Sequence, residues 1–382
     1  MTAAAVDLTQ HPTAEPRPET TTLIVGRFSA EQGEAVRMAL SRAGHRPRFV
    51  GDGTSARRIL GGRGPVPGLV LVDVAMVEIE PLLTWIRGRA ELFGAMVVAV
   101  APKASDGVFR EAVAAGCDDV VTLGDTGAIT RRAAKLIHYD PQQRPPVTQG
   151  RAVVVHPSVQ ARRLLGRTLR LAGFDVGFAE TEVELASCME RGPVELVVAA
   201  CCGEPAAAAS IEAARRLSGV PDLPCVLVGN PSKVRRDEAL NGLERIGVVR
   251  EHAAPDTLLF VANELLRPGV KELRSSPRVL ADQLCSFRVA GELEPAFGLT
   301  YNLSGNGLYV RTLDPPKRGA RIWFELRPPH ESSAVHLRGT VVWVRSVENG
   351  PGGAAPPGFG IRIDDRDCPP TDLAHYRATY RP

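Results

Sequence analysis

The chain has 382 residues, a length that predicts two or three domains, and 44% of them are hydrophobic, so each domain can bury a core. The net charge is only +3, which excludes a protein that binds nucleic acid through a large overall positive charge. The seven cysteines follow no CxxC or other regular spacing, and this favours free thiols in a reducing compartment.

The first 20 residues, MTAAAVDLTQHPTAEPRPET, are rich in Pro, Thr and Ala and contain no apolar core. Segment 1–20 is therefore predicted to be a disordered tail and not a signal peptide. Apolar runs such as AMVVAVA at 95–101 are far shorter than the ~20 residues needed to span a bilayer. We expect a cytoplasmic protein with no membrane span.

Residues 21–138 alternate short apolar runs with helical patterns, as expected for five strand–helix units. The predicted strands include TTLIVG, GLVLVDVAM, MVVAVAP and DDVVTL. Their apolar residues are continuous rather than alternating, which indicates a parallel sheet covered by helices on both faces. This order predicts a flavodoxin-like, doubly wound α/β domain.

A second α/β pattern occupies residues 151–267, after a proline-rich linker at 139–150 with the sequence YDPQQRPPVTQG. The segment SRAGHRPRF of the first half recurs here as RLAGFDVGF, and RGPVPGLVLVD recurs as RGPVELVVAA. Such recurrence indicates an internal repeat. We therefore predict a second flavodoxin-like, doubly wound domain with its own parallel sheet.

The periodicity changes after a second linker at 268–280, and residues 281–382 read as short alternating strands separated by Gly and Pro turns. This pattern predicts a small antiparallel β-barrel, and PTDLAHYRATY at the end predicts a short helix that caps it. The side chains predicted to lie together within three of the strands are Ile322, Phe324 and Leu326; Val335, Leu337, Val341 and Trp343; and Phe359, Ile361 and Ile363.

Each α/β half resembles a response-regulator receiver domain in its element order, and the first half also in its GCDDVVTL stretch. In that family an aspartate at the end of the third strand accepts a phosphoryl group. An acidic pair after the first strand holds Mg²⁺, a Thr or Ser ends the fourth strand, and a Lys ends the fifth. Asp73, in LVLVDVAM, occupies the acceptor position, so the resemblance makes it a candidate phosphoacceptor.

The groups that should surround Asp73 are missing from the sequence. Gly26 and Arg27 stand where the acidic pair belongs, Val100 ends the fourth strand, and Leu123 replaces the lysine. Since Mg²⁺ requires several oxygen ligands, one carboxylate facing an arginine is a poor site. We expect Arg27 to pair with Asp73 in a salt bridge, and phosphorylation of Asp73 is the alternative interpretation.

The second half lacks even the acceptor, because Ala200 stands at that position and His156–Pro157 replace the acidic pair. Both halves are therefore interpreted as pseudo-receivers. The sequence contains no HExxH, GxSxG or Walker motif. We predict no enzymatic activity, no catalytic residues, no metal and no cofactor.

The stretch LRSSPR at 273–278 places Arg274 and Arg278 four residues apart. Pro277 disfavours the helical conformation of the residue before it, so the segment is predicted to form a loop. Some twenty-four residues later, NLSGNG supplies amide and hydroxyl groups, together with glycines that allow close approach of a ligand.

These two motifs together resemble the signature of the PilZ family, RxxxR followed by [D/N]xSxxG at the start of a small β-barrel. The resemblance covers about residues 270–382 and implies a bacterial receptor for cyclic di-GMP. An arginine fork suits both chemical parts of that ligand, because it pairs with phosphate oxygens or with guanine O6 and N7. The residues that the resemblance assigns to ligand binding are Arg274, Arg278, Asn302, Ser304, Gly305 and Gly307.

The chain is accordingly interpreted as a non-enzymatic signalling effector. Cyclic di-GMP binding is expected to rearrange the domains, and protein partners, contacted through the pseudo-receivers, to read the result in motility, polarity or exopolysaccharide control. Self-association is compatible with this interpretation, whereas nucleic acid and membrane partners are not expected. The alternatives are a scaffold with a nucleotide-free barrel, a response regulator that depends on phosphorylation of Asp73, and a transcription factor, which the absence of a basic stripe disfavours.

Overall fold

The computed structural model describes residues 20–76, 78–143, 147–201, 207–234, 240, 242–251, 253, 255–267, 276–329, 331, 333–347 and 355–380. The predicted tail, apart from Thr20, lies outside the described residues, and so does Arg274 of the LRSSPR stretch. Within the described part of the chain, no helix is long and apolar enough to cross a membrane.

The first α/β domain is a five-stranded parallel sheet in the order β2-β1-β3-β4-β5, with helices on both faces. Its central strands β3 and β4 are almost wholly buried because their apolar side chains pack against helices on both sides. The flavodoxin-like prediction is confirmed. The elements are β1 (Thr20–Val25), α1 (Ala30–Arg42), β2 (His45–Val50), α2 (Gly53–Leu60), β3 (Leu69–Asp73), α3 (Ile79–Arg87), β4 (Met96–Ala101), α4 (Asp106–Ala114), β5 (Asp119–Thr122) and α5 (Thr126–Lys135).

The second α/β domain repeats this arrangement, with strand order β10-β9-β8-β6-β7. In both sheets the first strand of the domain lies between its second and third strands, as in other flavodoxin-like sheets. The elements are β6 (Arg151–Val155), α6 (Val159–Leu171), β7 (Asp175–Ala179), α7 (Glu182–Glu190), β8 (Leu196–Ala200), α8 (Ala207–Ser218), β9 (Cys225–Val228), α9 (Pro231–Val234), β10 (Ile246–Val249) and α10 (Pro255–Leu266).

The C-terminal part forms a closed antiparallel barrel of six strands, in the order β13-β12-β15-β16-β17-β14, and pairing of β13 with β14 completes the circle. A short strand, β11, adds to one edge of β13. The elements are β11 (Val279–Leu280), β12 (Leu284–Val289), β13 (Ala296–Ser304), β14 (Gly307–Arg311), β15 (Arg321–Leu326), β16 (Val335–Arg345), β17 (Gly358–Ile363) and α11 (Pro370–Thr379).

Side chains of α11 enter the barrel core, so this helix does cap one end as predicted. The predicted inner faces of β15 and β17 are also found in that core. Trp343 is the exception, because a β-bulge at Val342 interrupts the alternation of β16. The prediction that Trp343 joins Val335, Leu337 and Val341 is therefore wrong, and its side chain lies on the outer face, 36% exposed.

The barrel packs tightly on the first α/β domain. Leu299 and Leu313 of the barrel are buried within the two hydrophobic cores of that domain, and the Phe297 ring lies 6.5 Å from the Phe109 ring on α4. Asp119 accepts hydrogen bonds from the Leu313 amide at 2.7 Å and from the Arg132 Nε at 2.7 Å. Apolar burial and the hydrogen bond from Leu313 to Asp119 join the two domains, and the Arg132–Asp119 ion pair lies within the first domain beside this contact.

Asp118, the neighbouring residue in the GCDDVVTL stretch, connects the first domain to the second. Its carboxylate accepts hydrogen bonds from Arg87 of its own domain at 2.8 Å and from Arg167 of α6 at 3.1 Å. Burial opposes ionisation, but Arg167 and Arg87 outweigh it and lower the pKa of Asp118 to about 2. All three domains meet around this residue, because the Asp118 carbonyl also accepts a hydrogen bond from Arg311 of the barrel at 3.2 Å.

Candidate functional site

Strand pairing brings the two C-terminal motifs together. In the register of β11 against β13, Val279 lies opposite Leu303 and Leu280 lies opposite Asn302. Arg278, immediately before β11, is therefore placed beside the end of β13 that leads into the NLSGNG turn. The Gly305 amide also donates a hydrogen bond to the Ser276 hydroxyl at 3.0 Å, so the loop before β11 contacts the turn directly.

A cavity of about 530 Å³ opens on the outer face of the barrel at this point, and we call it the barrel pocket. Four residues that the sequence assigned to ligand binding line it: Arg278, Asn302, Ser304 and Gly307. Arg278 is exposed at the rim, whereas Asn302 is buried in the wall. Gly305 is absent from the lining, and Arg274 lies outside the described residues.

Helix α11 supports the hairpin between β13 and β14 through side-chain hydrogen bonds to its backbone carbonyls. The Tyr376 hydroxyl lies 3.0 Å from the Ser304 carbonyl and 3.1 Å from the Gly307 carbonyl, within hydrogen-bonding distance of both. Arg377 donates from Nε to the Gly305 carbonyl at 3.0 Å. Gly305 therefore forms the supported turn of the hairpin and does not itself face the pocket.

Gly307 has a structural reason to be glycine that the sequence did not reveal. A Cβ atom at this position would lie 2.2 Å from the Ile361 carbonyl oxygen of β17. The close approach of β14 to β17 therefore excludes a larger residue. The sequence predicted that this glycine contacts a ligand. Gly307 does line the barrel pocket, so the same residue packs against β17 and borders the cavity.

A row of aromatic rings crosses the pocket, and sequence reasoning missed it. Phe260 of α10 packs edge-on against Tyr301 with ring centroids 6.1 Å apart. Tyr301 contacts Tyr309 at 5.8 Å, and Tyr309 contacts Trp343 at 5.3 Å. Phe260 and Trp343 keep exposed surface that is suited to stacking with bases, whereas Tyr301 and Tyr309 are buried behind them. The YNLSGNGLYV stretch contained two of these rings, but the contribution of Phe260 depends on domain packing that no local motif encodes.

Helix α10 of the second α/β domain forms the opposite wall of the barrel pocket. Phe260, Asn263, Glu264 and Arg267 of the second domain all line the cavity. Asp256 lies one turn before Phe260 on the same helix and forms a buried ion pair with Arg311 of the barrel. The pocket is therefore a cleft between two domains, and its shape depends on how the second domain is docked.

The receiver-like site of the first domain is incomplete in three dimensions as well as in sequence. Gly26 lies against Asp73, and a Cβ atom at this glycine would approach the Asp73 Cβ to 2.4 Å. The Asp73 carboxylate accepts a hydrogen bond from the Ala75 amide at 2.9 Å. Among the described residues, no group of three or more His, Cys, Asp or Glu side chains is arranged to hold a metal ion.

The expected salt bridge between Arg27 and Asp73 is not formed. Arg27 is exposed, and no ion pair among the described residues joins it to Asp73. The prediction is wrong: the Asp73 carboxylate accepts from the Ala75 amide instead, while the Arg27 side chain is exposed to solvent. In the second domain, the His156 ring accepts a hydrogen bond from the Ser158 amide at 3.0 Å, and Ala200 is buried.

Beryllofluoride with Mg²⁺, which mimics an aspartyl phosphate, is expected to leave the melting temperature of the protein unchanged. The physical reason is that, in the part of the chain that the structure describes, Asp73 belongs to no group of three or more His, Cys, Asp or Glu side chains that could hold the cation. Differential scanning fluorimetry checks this, with an intact receiver domain as positive control. A beryllofluoride-dependent rise that disappears in Asp73→Asn would show that phosphorylation regulates the chain.

Residues 272–375 match the PilZ domain model. Among solved structures, a response regulator in red light signaling of R. palustris is 21% identical, with 29% of this chain and 89% of that chain covered and a TM-score of 0.26. A response regulator from Thermotoga maritima is 25% identical, with 31% and 98% covered and a TM-score of 0.27.

The chain is also similar to the inhibitor of motility MotI/DgrA of Bacillus subtilis. The two are 17% identical, the match covers 28% of this chain and 48% of that chain, and the TM-score is 0.23. No curated protein matched the chain. The C-terminal barrel thus contains a PilZ domain, and two flavodoxin-like α/β domains precede it.

Proposed function

We propose that this chain is a non-enzymatic effector that binds cyclic di-GMP in the barrel pocket. The observation that carries the proposal is the convergence of Arg278, Asn302 and Ser304 on one cavity inside a PilZ domain, beside a row of aromatic rings. Arginine at an exposed rim and stacking surfaces within a cleft match a ligand that carries two phosphates and two purines.

The parts of the pocket suit different parts of the ligand. Arg278, Arg267 and Arg362 are exposed at the rim, where a phosphate can remain partly hydrated while it pairs with a guanidinium. Asn302 is buried, and its amide can both donate to and accept from a guanine edge. Arg274 is assigned to the same ligand by its place in the RxxxR motif.

We propose further that the nucleotide changes the position of the second α/β domain relative to the barrel. The ligand would contact β13, β14 and β16 on one side and α10 on the other, since all of these elements line the pocket. A ligand shifts a conformational equilibrium only when it binds one arrangement more tightly. The arrangement with α10 docked offers both walls, so cyclic di-GMP is expected to stabilise it.

Protein partners would then read the position of the pseudo-receivers. In sequence, Gly26–Arg27 and His156–Pro157 stand where a receiver domain has its acidic pair, and each domain forms a five-stranded parallel sheet covered by helices. Their proposed role is therefore to present surfaces rather than to catalyse. Motility, polarity and exopolysaccharide control are the processes in which such an effector is expected to act.

Titration with cyclic di-GMP is expected to change the fluorescence of Trp343, which lines the pocket and is 36% exposed. The other two tryptophans, Trp85 and Trp323, do not line it. A Trp343→Phe variant separates the signals, since it should lose the fluorescence change and still bind by calorimetry.

Small-angle scattering of the same samples tests the interdomain step, and saturating nucleotide is expected to narrow the distribution of particle dimensions. A saturable titration with an unchanged scattering profile would leave ligand binding in place and remove the proposed rearrangement. No binding at all would favour the alternative of a scaffold with a nucleotide-free barrel.

A further inference from the structure

One residue that lines the barrel pocket has a buried polar group with no partner among the residues that the structure describes. Tyr301 is 3% exposed, and its hydroxyl makes no hydrogen bond to any described residue. The contrast with its neighbour is direct, because the Tyr309 hydroxyl donates to the Pro356 carbonyl at 2.6 Å. A buried hydroxyl without a partner costs free energy, so folded proteins seldom keep one unless a ligand or water completes it.

A local irregularity in β13 directs Tyr301 toward the pocket. The pairing of β13 with β14 skips Tyr301, because Thr300 lies opposite Val310 and Asn302 lies opposite Tyr309. In a regular strand, consecutive side chains point to opposite faces. The bulge lets Tyr301 and Asn302 line the same cavity, and bulges beside binding sites characteristically re-aim a side chain in this way.

A second bulge faces the first across the pocket. It lies in β16, where the pairing with β17 skips Val342, and both Val342 and Trp343 line the cavity. Two strands of the barrel are thus interrupted at the level of one cleft. The two bulges beside one cleft support a ligand-binding site in which Tyr301 contacts the ligand.

The surroundings of the hydroxyl identify the part of the ligand that it meets. Tyr301 lies between the rings of Phe260 and Tyr309, deep in the cleft, whereas Arg278 and Arg362 lie exposed at its rim. A base is favoured between aromatic rings, and a phosphate is favoured beside hydrated arginines. Burial, followed by the charge of Asp256, raises the pKa of Tyr301, so its hydroxyl is a neutral donor.

We propose that the Tyr301 hydroxyl donates a hydrogen bond to the O6 acceptor of a guanine base and so contributes to base preference in this pocket. The inference rests on the proposed function and deepens it, because it assigns a specificity-determining residue outside the two sequence motifs. A site that hydrogen-bonds one base edge discriminates against a base whose edge presents the wrong group. Adenine presents an amino donor where guanine presents O6.

The test is Tyr301→Phe, which removes only the hydroxyl. Two changes of opposite sign are expected: the melting temperature without nucleotide rises, because an unpartnered buried group is removed, and the affinity for cyclic di-GMP falls about five- to tenfold. Affinity for cyclic di-AMP, measured by competition, should change less, so the preference for cyclic di-GMP shrinks. Calorimetry and scanning fluorimetry provide these readouts.

Tyr380→Phe is the matched control, since the Tyr380 hydroxyl donates to Gln283 at a position away from the pocket. It should lower the melting temperature and leave both affinities unchanged. An unchanged affinity of Tyr301→Phe for cyclic di-GMP overturns the inference, and so does an equal loss for both nucleotides, which would indicate a contact to a group that they share, such as a phosphate or N7. If the wild-type chain binds no cyclic di-GMP, the proposed function itself fails.

Discussion

Arg278→Ala is expected to weaken cyclic di-GMP binding by about a hundredfold without unfolding the barrel. Each charge-assisted hydrogen bond contributes about 1.5–3 kcal/mol, and a bidentate contact loses more than one of them. Because Arg278 is exposed at the rim of the pocket, its truncation removes little buried contact from the free protein. Isothermal calorimetry on the full chain measures the loss, and scanning fluorimetry confirms that the melting temperature is retained.

Two further variants test whether the loss of affinity depends on the guanidinium group and on its position in the pocket. Arg278→Lys keeps the charge and loses the planar fork, so its affinity should lie between those of the wild type and Arg278→Ala. Arg318→Ala removes an exposed arginine of the barrel that lies outside the pocket, and it should bind as the wild type does. Equal affinities for Arg278→Ala and Arg318→Ala would refute the assignment of the pocket.

Sequence reasoning could predict those features that depend on repeated local patterns. Continuous apolar strands such as Leu69–Asp73 indicated two parallel sheets, and alternating strands such as Arg321–Leu326 indicated the barrel. The motif pair around Arg278 and Asn302 could be recognised because the spacing of functional groups is written along the chain. The structure shows why such distant positions meet, since β11 pairs with β13 in the corresponding register.

The failed predictions share a physical cause, which is backbone geometry that side-chain type does not specify. The bulge at Val342 turned Trp343 outward, although the alternation of β16 predicted an inward side chain. The Asp73 carboxylate accepts from the Ala75 backbone amide and Arg27 is exposed, although the sequence predicted that the two side chains would pair. Both cases required knowledge of the chain path at single residues.

Contacts between domains were also beyond the sequence. Nothing in α10 marks Phe260 as part of a ligand pocket, because that role arises only when Asp256 of the same helix pairs with Arg311 of the barrel. In sequence, the GCDDVVTL stretch indicated a resemblance to receiver domains. Its two aspartates in fact hold the three domains together, Asp118 through Arg167 and Asp119 through Leu313.

Asp118→Asn is therefore expected to cause a large loss of stability, about 3–5 kcal/mol in the free energy of unfolding. The change leaves Arg87 and Arg167 buried without a neutralising charge, and both now share this carboxylate at 2.8 and 3.1 Å. Urea denaturation followed by circular dichroism measures the effect. Because the chain has several domains, we expect the denaturation curve of Asp118→Asn to show separate unfolding steps, and not one step shifted to a lower urea concentration.

Glu34→Gln is the matched control for this charge removal. Its carboxylate pairs with Arg37 on α1, but both side chains are 52% exposed, and exposed pairs contribute little to stability. The control should therefore denature within about 0.5 kcal/mol of the wild type. If Asp118→Asn also behaves in this way, the buried carboxylate is not a structural connection between the domains.

The difference between wild type and Asp118→Asn should depend on pH in a defined direction. The folded pKa of Asp118 is lowered to about 2 against an unfolded value near 3.9, so its ionised form stabilises the fold above about pH 4. This stabilisation is lost as the pH falls through about 2. Asp256 has the opposite tendency, because burial raises its pKa despite the charge of Arg311, and the charge of Asp118 adds a smaller rise that Asp118→Asn removes. The two denaturation curves should consequently converge between about pH 4 and pH 2, whereas a gap that stays constant with pH would mean that the asparagine disturbs packing rather than charge.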